Sequence, residues 1–73
     1  MRRETLIWHL AQAEARIALG REHIARQYEN IAELEQVGYD AVTAKALLVV
    51  FEQTHALHVA DREQIAAEIE ALD

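Results

Sequence analysis

The chain contains no cysteine and no proline, only two glycines, few aromatic residues and no apolar run that approaches the length of a membrane span. Without cysteine it draws on neither disulfides nor thiolate-ligated metal, so stability must come from packing. Without proline, and with glycine confined to positions 20 and 38, little breaks a helix. Basic residues are also scarce: seven against thirteen acidic ones, for a net charge of −6. Six of the seven are Arg2, Arg3, Arg16, Arg21, Arg26 and Arg62, which do not gather on one helical face. That distribution argues against nucleic acid as a partner, since affinity there rests on neutralising phosphates with a basic patch. The longest strongly apolar run, Ala46 to Phe51, falls far short of the roughly 20 residues a bilayer requires, so no membrane partner is expected. The opening Met1-Arg2-Arg3 leads into Glu4 and a short apolar cluster, not the core of a signal peptide, and a cytoplasmic location is expected.

What the chain does have is a repeat. Leu10 to Val37 reads as four seven-residue units, LAQAEAR, IALGREH, IARQYEN and IAELEQV. Each opens with a branched apolar residue, Leu10, Ile17, Ile24 or Ile31, followed by alanine. A sustained seven-residue apolar period marks a helix committed to packing on other helices. The spacing predicts a first helix over about 4–37, a turn over 38–40 and a second helix over about 41–72, within a single domain of 1–73. Gly38 suits the left-handed position that ends a helix, and Asp40 is placed to cap the amide of Val42 or Thr43. A connection this short makes long helices antiparallel neighbours. The fold class is therefore all-α, an antiparallel two-helix hairpin.

A lone hairpin of this size covers only one face of each helix, which points to association with a further copy or with a protein partner. The expected remedy is a homodimer, two hairpins forming a four-helix bundle. Its apolar contacts are expected from Leu10, Ile17, Ile24 and Ile31 on the first arm. On the second arm they come from Leu47, Leu48, Val50, Phe51, Ile65 and Ile69. Alanines and Gly20 permit close approach, and Ala46 to Phe51, apolar all round, reads as a segment covered from more than one side.

The second arm has a polar interruption in its stripe. Gln27, Thr54, His58, Asp61 and Arg62 read as a buried polar layer that fixes register and partner number at some cost in stability. A turn centred between Gly38 and Tyr39 would set His58 near Gly20, His55 near Glu22, Thr54 near His23 and Asp61 near Arg16.

The competing expectation is a metal centre. Glu52 and His55 match the Glu-x-x-His spacing of di-iron bundles, with Glu22 or Glu29 as a further carboxylate, so iron is one candidate. Zinc held by His23, His55, His58 and Asp61 is the other. Nothing resembles a nucleophile with its base: Thr54 and His58 are one turn apart, but a helical threonine commonly bonds its own backbone. No catalytic residue, and no resident cofactor outside the metal alternative, is expected.

The stretches HIARQYENIAELEQVGYD and LLVVFEQTHALHVADREQI resemble those of a group of short, functionally uncharacterised bacterial helical-hairpin proteins. The resemblance spans about Leu10 to Ile65 and implies a hairpin, with no activity, cofactor or partner to carry over. The first arm departs from the group's charged pattern at Ala15, Leu19 and Tyr28. The function expected is that of a small self-associating interaction or regulatory module.

Overall fold

The computed structural model describes residues 2–72. Two helices, α1 (Arg2–Gln36) and α2 (Val42–Leu72), lie against each other in a rod of 55 × 14 × 13 Å, and no strand occurs among the described residues. Helix α1 begins two residues earlier than the expected position 4, with Glu4 in its first turn, where a carboxylate complements the exposed amides.

The turn is built from backbone hydrogen bonds that glycine makes possible. Gly38 has φ of 81°, a left-handed conformation that costs glycine nothing. This lets the Tyr39 N–H donate to the Leu34 carbonyl at 2.9 Å and the Gly38 N–H to the Glu35 carbonyl at 3.2 Å. The crossed pair is the Schellman ending, and it satisfies carbonyls that the end of α1 would otherwise leave open. Two residues on, the Val42 N–H donates to Oδ1 of Asp40 at 2.9 Å, so Asp40 caps α2 as its spacing predicts.

Between the helices runs a seam with alternating steps of three and four residues. On α1 its buried and half-buried members are Leu6, Leu10, Ala13, Ile17, Gly20, Ile24, Gln27, Ile31 and Leu34. On the second arm they begin at Ala41, just before α2, and continue through Ala44, Leu48, Phe51, His55, His58, Arg62, Ile65 and Ile69. This is the narrow stripe of a coiled coil, and the two arms satisfy each other along it. A buried cluster, Ile31, Ala41 and Leu48 with Ile24, Leu34 and Ala44 packed on it, sits at the loop end.

At the level of Gly20 the seam shifts the expected register by three residues. His55, not His58, meets Gly20, since a Cβ built on Gly20 would lie 2.6 Å from the His55 Nδ1. The cause is at the turn. Ala41 is already buried directly behind the Asp40 cap, whereas α1 leaves the core at Leu34 and runs two residues further before it ends.

Candidate functional site

Midway along the rod the seam turns polar, and a groove of about 300 Å³ opens on one flank. From α1 it is lined by Arg16, Leu19, Gly20 and His23, and from α2 by Val50, Phe51, Thr54, His55 and His58. At this level Gly20 presents no side chain where neighbouring seam layers carry isoleucine. Imidazole fills that space from the other arm: Nδ1 of His55 is buried against Gly20 and makes no hydrogen bond. Nearby, the rings of His23 and Phe51 lie 5.8 Å apart at a tilt of 38°, which puts the imidazole of one arm over the aromatic of the other.

The expected polar layer is only partly assembled. His58 and Arg62 do lie in the seam, half-buried, but Thr54 and Asp61 are exposed. Counting steps of three and four from Ala41 and Leu48 reaches Phe51, His55, His58 and Arg62 and passes over both. The Arg62 guanidinium reaches its helix neighbour Glu63 at 3.4 Å. Gln27 is buried, but it lies nearer the loop, and its Nε2 donates to the Ala44 carbonyl at 2.8 Å instead of meeting His58. His55, which the sequence places beside the apolar face of the second arm, buries its Nδ1 against Gly20 of the first.

The proposed metal ligands are dispersed. Glu52 lies on the flank away from the groove and accepts a hydrogen bond from the Tyr28 hydroxyl at 3.3 Å, while His55 turns inward to Gly20. The Glu-x-x-His pair therefore does not converge. Glu22 and Asp61 are exposed and do not line the groove. His23, His55 and His58 share the groove, yet among the described residues no group of three or more His, Cys, Asp or Glu side chains is arranged to hold a metal ion.

The residues expected to form an oligomer contact divide in two. Leu10, Ile17, Ile24, Ile31, Leu48, Phe51, Ile65 and Ile69 lie on the seam within the chain. Leu47 and Val50 remain exposed, together with Val49, so the Ala46 to Phe51 segment is covered from one side only within the chain. Sequence reasoning passed over Leu57, which is 71 % exposed. Its signal was spacing, for it continues the line of Leu47 and Val50 along α2.

The two flanks of the seam differ. One is tied across the arms by Tyr28 with Glu52 and by Lys45 with Glu35 at 2.8 Å; the Glu35 carboxylate raises the Lys45 ammonium above its ordinary pKa. The other carries the groove, with Arg2 and Glu68 approaching to 3.8 Å at the open end of the hairpin. No described helix is long and apolar enough to cross a membrane. No protein-family model, curated protein or solved structure matches the chain.

Proposed function

We propose that this chain is a small interaction module that pairs with a second copy of itself, two hairpins forming a four-helix bundle, and that it works by binding instead of catalysis. One observation carries the reading. The chain leaves 5480 Å² accessible, whereas a compact monomer of its mass exposes about 4,600 Å². The excess, about 900 Å², is close to the roughly 800 Å² that each partner buries in a standard interface. Large apolar side chains stand in the open: Ile7, Trp8, Leu19, Leu47, Val49, Val50 and Leu57 are all about half exposed or more. Side chains that the hairpin cannot cover are what a second hairpin would cover.

Sedimentation equilibrium over a concentration series tests the proposal. A dimer at micromolar concentration, dissociating on dilution with loss of helical stability, is the expected result. A monomer that persists at 100 µM, as stable when dilute as when concentrated, overturns it.

A further inference from the structure

Resting on the dimer reading, we infer which face pairs and how: the groove flanks meet about a two-fold axis parallel to the hairpin, and Leu57 of each copy enters the groove of the other.

The groove and Leu57 share a flank. Val50 and Thr54 line the groove, and steps of three and four along α2 carry the same face from Leu47 through Val50, Thr54 and Leu57 to Asp61 and Glu68. The Arg2–Glu68 approach fixes the far end of that face on the groove side. A projecting leucine beside an apolar recess is the pattern of an isologous contact, in which one patch serves both subunits. A groove of about 300 Å³ has room for a leucine side chain.

Charge selects the axis. The α1 half of this face presents His9, Arg16, His23 and Arg26, with Glu33 as its acid near the loop. The α2 half presents Asp61 and Glu68 and no base. A two-fold parallel to the hairpin lays each α1 on the α2 of the other copy, basic half over acidic half. A two-fold across the hairpin would lay α1 on α1 and bring Arg16 towards Arg26, which like charges disfavour. Levels agree as well. Because Gly20 meets His55, position 57 stands level with Leu19, so Leu57 of the second copy lands on Leu19 at the groove. Asp61 then falls within one helical turn of Arg16.

The absence of native cysteine makes the test direct. A chain carrying Leu19→Cys is mixed with one carrying Leu57→Cys, oxidised under mild conditions and weighed by mass spectrometry, beside the pair Ala25→Cys and Val49→Cys on the opposite flank. The expected product is the 19–57 mixed disulfide, with little of the 25–49 product. A second variant, Leu57→Glu, is expected to weaken dimerisation by at least about tenfold while far-UV circular dichroism remains helical. If the native chain dimerises but the 25–49 pair cross-links, or Leu57→Cys joins to itself as readily as to Leu19→Cys, the proposed face or axis is overturned and the dimer reading survives. A native chain that stays monomeric overturns both.

Discussion

A Cβ placed on Gly20 would stand 2.6 Å from Nδ1 of His55, closer than side-chain atoms pack. Glycine in the middle of a helix ordinarily costs about 0.5–1 kcal/mol relative to alanine. Here it sits at the centre of a 35-residue helix because the opposite arm brings an imidazole to that level. The usual sign of a Gly→Ala change should therefore reverse. In the native chain, Gly20→Ala is expected to lower stability by about 1–2 kcal/mol, as overpacked sites do. In a His55→Ala background the same change should raise stability by about 0.5–1 kcal/mol, the ordinary helix preference. Urea unfolding of the four proteins measures the coupling, and a Gly20→Ala that stabilises both backgrounds would refute it.

Gln27 gives a second contrast. It is 8 % exposed, and its Nε2 holds the Ala44 carbonyl at 2.8 Å. That carbonyl lies inside α2, where the helical ladder already supplies a donor, so losing the glutamine does not orphan it. Gln27→Leu should consequently leave thermal stability unchanged or raise it. Gln27→Ala, which removes the bond and leaves a void, should cost about 2 kcal/mol. Equal losses in the two variants would mean that the hydrogen bond, and not the volume, carries the contribution of this residue.

The hairpin was legible because its signals are local. The heptads from Leu10 and the Gly38–Asp40 punctuation act within a few residues, and the helices and cap follow them. Register was less legible, for it depends on how far α1 overruns the core before turning, and no residue type encodes that distance. Thr54 and Asp61 lie off the seam, exposed within the single chain, for a related reason. An average of 100° per residue blurs seam and flank over three turns, whereas the alternating step of a coiled coil separates His55 from Thr54. Leu57 was hidden by its neighbours, since a single leucine between alanine and histidine contributes nothing to the main stripe.

The turn should tolerate little change. At φ 81°, Gly38→Ala puts a Cβ into the left-handed region and should cost about 1 kcal/mol, although nothing lies within 4 Å of the added carbon. Asp40→Ala removes the acceptor for the Val42 amide and should cost about 1 kcal/mol, while Asp40→Asn or Asp40→Ser should restore most of it. Chemical unfolding of the single variants checks both. A Gly38→Asn that costs less than Gly38→Ala would show that the backbone conformation is at stake and not crowding, since asparagine tolerates that region better.

Lys45 and Glu35 close the flank opposite the groove at 2.8 Å, and the carboxylate, by hydrogen bond and charge, raises the lysine above its ordinary value of 10.5. In the unfolded chain that partner is not held in place, so protonation is tighter in the folded state. A raised lysine stabilises the fold fully at pH values below its unfolded pKa. The contribution fades as pH climbs through the higher folded value, so the window lies above about 10.5 and neutral stability does not vary with it. Both side chains are more than half exposed, so the effect will be small and should shrink further in high salt. NMR titration of the Lys45 side chain should show its midpoint falling in Glu35→Gln, and that variant should lose the extra decline in melting temperature above about pH 10.5. An unchanged Lys45 midpoint in Glu35→Gln would place the cause elsewhere, with Asp40 the next charge acting in the same direction.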